Sequence, residues 1–206
     1  MKQRWHKPLN VAMALALVAM LPPALLLVAT PVAASPDDSG WHSPSAYENN
    51  NSWVNPTYAY TSDDNRMDAN SNGDTITLYN FNFSGISGTV NGIEVDVEAR
   101  SSGPQASGVR IRLMYNGRSS ETDYKQTPNL TTSEAYYTLG SSTDTWGRSW
   151  TGNDFTDANF AVRVIAYKPS AHHPLVDHVR VRVYYTPDWE SYSDPAHNTQ
   201  CDYFDE

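Results

Sequence analysis

Along most of this chain apolar and polar residues alternate one by one, the period of strands with one buried face, and they do not recur every three or four residues as on a helix. "NGIEVDVEAR" (91–100) sets Ile93, Val95, Val97 and Ala99 on one side and Glu94, Asp96, Glu98 and Arg100 on the other. "SGVRIRLMY" (107–115) opposes Val109, Ile111, Leu113 and Tyr115 to Arg110 and Arg112. A Ser/Gly/Pro loop at 101–108 joins them, so the two are expected to pair antiparallel, with Glu98 facing Arg110 and Asp96 facing Arg112. Opposite charges across a ladder contribute about 0.2–1 kcal/mol each. In "VDHVRVRVYYT" (176–186) Val179, Val181, Val183 and Tyr185 share one face while Arg180, Arg182 and Tyr184 share the other.

"GDTITLYNFNF" (73–83), "EAYYTLG" (134–140), "NFAVRVIAY" (159–167) and a weaker segment near Tyr58–Tyr60 complete the pattern. About seven or eight short strands between turn signals, with no helical stretch, predict an all-β chain folded as a single antiparallel β-sandwich. That domain is expected over 57–186, after an irregular, Asn- and Ser-rich lead-in at 35–56. Trp146 and Trp150 precede the 159–167 strand, and Trp150 reads as a cap on the core.

The ends of the chain change the picture of where it works. Lys2, Arg4 and Lys7 precede an apolar run from Val11 to Val28, and Val32 and Ala34 fit a signal-peptidase site. Residues 1–34 therefore read as a secretory signal peptide cleaved before Ser35, the alternative being an anchor that is retained. Cleavage removes those three bases and no acid, so 11 Lys+Arg face 23 Asp+Glu and the formal charge goes from −9 to −12. This sign argues against nucleic acid as a partner, and after cleavage no membrane span is expected. The tail at 187–206 carries Trp189, Tyr192, Tyr203 and Phe204 among its acids and has no base. It reads either as a solvated like-charged segment or as a segment that docks on a neighbouring subunit. Cys201, the single cysteine, has no partner within the chain; it is either a free thiol or an intermolecular disulfide.

The blocks "AYENNNSWVNPTYAYTSDD", "ISGTVNGIEVDVEARSS", "YTLGSSTDTWGRSWTGNDFTDANFAVRV" and "VDHVRVRVYYT", in this order, resemble a jelly-roll-like β-sandwich domain of secreted bacterial surface proteins and of phage tail or other structural proteins. The likeness spans about residues 45–186. It implies an accessory, non-catalytic role and offers no catalytic residues to carry over.

Candidate chemistry is sparse. Asp63, Asp64 and Asp68, with Asp177 at the start of the last strand, offer the oxygens a structural calcium requires, although an Asx-rich turn explains the same residues. Trp41, Trp53 and Trp146 are candidate platforms for a polysaccharide, since exposed aromatic faces suit pyranose rings. No two carboxylates stand out as a glycosidase pair, and no Ser/His/Asp set lies in a nucleophile turn. The leading expectation is a secreted, non-catalytic structural or adhesive subunit at the cell surface or in the matrix, self-associating by strand addition through "SAYENNNSWVNP" or the acidic tail. A carbohydrate-binding module is the alternative, and a secreted glycoside-active enzyme is third.

Overall fold

The computed structural model describes residues 36–49 and 52–188. The signal peptide, the tail beyond Asp188 and Cys201 lie outside the described residues. Two six-stranded antiparallel sheets face each other across one core, so the chain is an all-β, jelly-roll-like sandwich.

In the first sheet β10 (Ala135–Ser141), β6 (Thr89–Ser101), β12 (Pro174–Thr186), β4 (Met67–Ala69) and β3 (Trp53–Val54) lie side by side, and β1 (Asp37–Asp38) joins the far end of β12. The second sheet runs β2 (Ala46–Asn49), β5 (Thr75–Tyr79), β11 (Ala161–Tyr167), β7 (Gly108–Tyr115), β8 (Ser120–Glu121), with β9 (Lys125–Gln126) also on β7. Seven of these strands have four residues or more, in keeping with the count expected from the alternation.

The inner faces of β6, β7 and β12 are those read from the sequence. Ile93, Val95, Val97, Val179, Val181 and Val183 from the first sheet meet Ile76, Leu78, Val109, Ile111, Leu113, Val162 and Val164 from the second, all essentially inaccessible to solvent. One end of the core is aromatic. Phe160 lies 5.7 Å from Phe81, 5.5 Å from Phe83, 5.3 Å from Phe155 and 6.1 Å from Trp150, centroid to centroid. Trp150 is buried there, as expected, with its indole N–H on Thr145 O at 2.7 Å.

Three features depart from the sequence reading. First, β6 and β7 are not a hairpin: β6 pairs with β10 and β12, β7 with β11, β8 and β9. The loop between them crosses from one sheet to the other, held by Ser107 Oγ donating to Ser101 Oγ at 2.8 Å and by Leu130 N–H on Ser107 O at 2.9 Å. Asp96 and Glu94 consequently face Arg180 and Arg182 of β12, and the expected Glu98–Arg110 and Asp96–Arg112 pairs do not form. Second, the lead-in expected to be irregular is woven into both sheets. Its Ala46–Asn49 pairs with β5, Trp53–Val54 with β4, and Asp37–Asp38 with β12. Third, the weak segment near Tyr58–Tyr60 is a single 3-10 turn at Pro56–Ala59, followed by an isolated bridge from Tyr60 to His178. Pro56 sets the backbone angle of that turn and removes a strand donor.

Candidate functional site

Outward-pointing residues of β10, β6 and β12 line up in rows across the first sheet. Tyr136, Glu98 and His178 form one row, Thr138, Asp96 and Arg180 the next, and Gly140, Glu94 and Arg182 the third. Asp96 is buried; its Oδ1 accepts from Thr138 Oγ1 at 2.6 Å, and its Oδ2 from Arg180 Nε and Nη2 at 3.1 and 2.9 Å. Glu94 Oε2 accepts from Arg182 Nη2 at 2.9 Å and from Tyr184 Oη at 2.8 Å. Burial and then that carboxylate push the Tyr184 phenol up to about 12. Asp96→Ala is expected to cost about 1–3 kcal/mol, because Thr138 and the half-buried guanidinium lose their acceptor together. Chemical denaturation against wild type measures it.

Aromatic rings complete this face. Arg180 stacks 4.3 Å from the Tyr136 ring and 4.4 Å from that of Trp41, and Arg182 lies 4.4 Å from Trp41 and 5.1 Å from Tyr184. Trp41 arrives from the N-terminal segment, which His42 fastens to β12 by mutual backbone bonds with Val181 at 2.8 Å. The result is a platform of half-exposed rings and guanidinium groups held by ion pairs and ring contacts. Tyr136 is its most open ring, 37% exposed.

Trp53 and Trp146 do not belong to it, and the expectation that they offer exposed sugar platforms is corrected. Only 2% of Trp53 and 5% of Trp146 is exposed. Their indole N–H groups donate to backbone carbonyls, Trp53 to Asp74 O at 3.2 Å and Trp146 to Ile93 O at 2.9 Å. A buried indole needs such a partner, and here both are found inside the fold.

The acidic residues divide. Asp63 and Asp64 do meet Asp177, whose Oδ1 and Oδ2 accept their backbone N–H groups at 3.3 and 3.1 Å. Asp177 sits at the bulge between Val176 and His178, only 1% exposed, and burial pushes its carboxyl up. Glu134, which the sequence reading did not single out, joins Asp64 and Asp177 so that one oxygen of each lies within 4.8 Å of the others. Asp68 is elsewhere, 3.0 Å from His173 Nε2. Arg66 already supplies positive charge to the cluster: it bonds Glu134 through Nε at 2.7 Å and through Nη2, and Asp64 Oδ1 at 2.9 Å. Arg66 thus pairs with two of the three clustered carboxylates, and Asp68 is not among them.

His178 is the titratable group closest to the platform. It is buried between Tyr136 Oη, 3.1 Å from Nδ1, and Ser43 Oγ, 2.8 Å from Nε2. Burial, and then Arg180, hold its pKa below the usual 6.5. The stability its neutral ring carries is present above pH 6.5 and is lost as pH falls through the lowered folded value. Asp177 works in the opposite sense, its contribution being lost as pH rises through its raised folded value. Between about pH 7 and pH 5 the wild type should lose more melting temperature than His178→Gln, and parallel melts of the two proteins isolate this slope.

No family model matches the chain, and no curated protein sequence matches it. Among solved structures it is similar to the CBM36-1 domain of a multidomain xylanase from the hindgut metagenome of Trinervitermes trinervoides, at 10% identity over 72% of this chain and 94% of that one, TM-score 0.35. It is also similar to the N-terminal cellulose-binding domain of Cellulomonas fimi β-1,4-glucanase C, at 14% identity over 72% and 90%, TM-score 0.34. A third similar chain belongs to infectious bursal disease virus, Gx strain, at 10% identity over 75% and 33%, TM-score 0.40.

Proposed function

We propose that this chain is a secreted, non-catalytic subunit of an extracellular structure, and that it associates by adding a strand to the open β10 edge of its first sheet. The observation that carries the reading is that edge. β10 pairs with β6 on one side, and among the described residues no strand pairs with its other side. Natural edges are guarded by lysine, proline, inward charges or bulges, or are kept very short. Ala135–Leu139 reads Ala-Tyr-Tyr-Thr-Leu, with no charge and no proline, and its β-branched and aromatic residues favour an extended partner.

The N-terminal segment considered as a donor is occupied within its own fold, since Ala46–Asn49 and Trp53–Val54 already pair with β5 and β4. The simplest partner is then β10 of a second copy, running antiparallel about a two-fold axis and joining two first sheets into one. Hydrogen exchange tests this at a range of protein concentrations. Those backbone amides of Tyr136–Leu139 that point away from β6 should gain protection as concentration rises, and exchange that does not depend on concentration overturns the proposal.

One observation favours a second reading, a polysaccharide-binding module: the rings of Trp41, Tyr136 and Tyr184 lie beside ion-paired guanidinium and carboxylate groups on one face. On that reading Trp41→Ala abolishes retention on the bound polysaccharide and leaves self-association intact.

A further inference from the structure

The outer face of the second sheet carries a guanidinium that the fold holds but does not neutralise. Arg110, on β7, stands opposite Gln126 of β9 on one side and Ile165 of β11 on the other. Its Nε donates to Gln126 Oε1 at 2.7 Å. Its guanidinium carbon lies 4.9 Å from the centre of the Tyr124 ring and 4.7 Å from that of Tyr167. Tyr167 reaches it as a diagonal neighbour, since its own cross-strand partner is Gly108, which puts no side chain beside the ring.

The other basic groups of this sheet have partners. Arg112 and Arg163 share Glu121, at 3.2 and 2.6 Å, Arg118 pairs with Glu48 at 3.4 Å, and Lys125 pairs with Asp144 at 2.7 Å. Arg110 makes no ion pair among the described residues, and its Nη1 and Nη2 have no hydrogen-bond partner there. The hydroxyls of Tyr124 and Tyr167 make no hydrogen bond among them either. Asp123, exposed in the connection before β9, is the nearest further acid in the chain, so Arg110, Arg112 and Arg163 outnumber Glu121 and Asp123. On a chain of formal charge −9 this is a local cationic spot.

With Nε engaged and a ring reaching it from each side, Arg110 has its Nη1–Nη2 edge left for a ligand. That edge takes a planar oxyanion through two parallel N–H···O bonds, and a guanidinium already held in place loses little freedom on binding. Tyr124, 47% exposed, offers a ring beside it. The fitting ligand brings a carboxylate and a flat C–H face in one rigid unit, with hydroxyls for the two phenols. A uronic acid pyranose has all three, whereas an acidic peptide carries its carboxylates on flexible stems and lacks the hydroxyls. We propose that Arg110, Tyr124 and Tyr167 form a site for the uronate units of an acidic extracellular polysaccharide, the carboxylate bridging Nη1 and Nη2 of Arg110 and the pyranose face packing on Tyr124. The site lies on the other sheet from β10 and does not depend on it.

Isothermal titration calorimetry of the chain from Ser35 onward with a trimer of 1,4-linked galacturonate, free of divalent cations, tests this. Saturable binding is expected with a Kd of about 1 mM or below. Arg110→Gln and Arg110→Lys should each weaken it at least about tenfold, since an ammonium cannot bridge two oxygens as a guanidinium does. Tyr124→Ala, which leaves the charge in place, should weaken it several-fold. Arg118→Gln removes one charge from the same sheet and should leave the Kd within about twofold, because binding rests on one geometry and not on diffuse charge. The uncharged trimer of galactose, and a glutamate peptide of equal charge, should each bind at least about tenfold more weakly than the uronate. Circular dichroism melts confirm that each variant is folded. Absence of saturation, equal binding of the galactose trimer or of the peptide, an Arg110→Gln chain that binds as well as wild type, or equal losses in Arg110→Gln and Arg118→Gln overturns the proposal. None of these results bears on β10 association, which hydrogen exchange reads on the first sheet.

Discussion

Lysines placed at Ala135 and Thr138 are expected to hold the protein monomeric where the wild-type chain associates, weakening self-association at least about tenfold. Both side chains are exposed on β10. Thr138 points to the same face as Asp96, so a lysine there keeps a carboxylate partner within its own sheet, while two edge ammonium groups repel their counterparts in a second copy. Melting by circular dichroism should stay within a few degrees of wild type, which separates loss of assembly from loss of fold. Light scattering on the same samples reads the association. A double variant that associates as well as wild type sends the interface elsewhere.

The largest effect on stability is expected at Phe160. Replacing it by alanine should cost about 3–5 kcal/mol, the range for removing a buried aromatic and leaving a cavity. Four other aromatic side chains contact this ring, and they come from two separate connections: Phe81 and Phe83 follow β5, while Trp150 and Phe155 lie in the loop before β11. Such a cluster cannot collapse onto the gap without moving several elements at once. Urea unfolding of Phe160→Ala checks the value, and a loss under about 1 kcal/mol would mean that the cluster relaxes freely.

Alternation in the sequence told which side of β6, β7 and β12 is buried, and it marked β5, β10 and β11 as strands. It did not tell which strand lies next to which. Val95 and Ile111 both point into the same core whether their strands form a hairpin or belong to opposite sheets, so nothing in the pattern distinguished the two, and the charge stripe on β6 was assigned to Arg110 and Arg112 when its partners are Arg180 and Arg182. Arg180 and Arg182 were legible as an outward pair; the rings that stack on them were not, because Trp41 and Tyr136 lie far from β12 in the chain.

Short strands escaped for a different reason. Ala46–Asn49 and Trp53–Val54 hold their places through backbone bonds to β5 and β4, and that pairing leaves almost no mark in a polar, Asn-rich stretch. Trp53 and Trp146 were misread because a tryptophan flanked by polar loop residues looks exposed in one dimension. Each indole instead enters the core by giving its N–H to a carbonyl remote in sequence. Among the acids, Asp63, Asp64 and Asp177 do come together, whereas Glu134 and Arg66, which join them, became visible only once β10 was laid beside β6 and β4 beside β12.

Sedimentation velocity of the chain from Ser35 onward, over a hundredfold range of concentration, tests the central claim most directly. Association through β10 predicts a sedimentation coefficient that climbs with concentration and a boundary that returns to the monomer for the Ala135→Lys/Thr138→Lys variant. A single monomeric boundary for the wild-type chain across the whole range would contradict it.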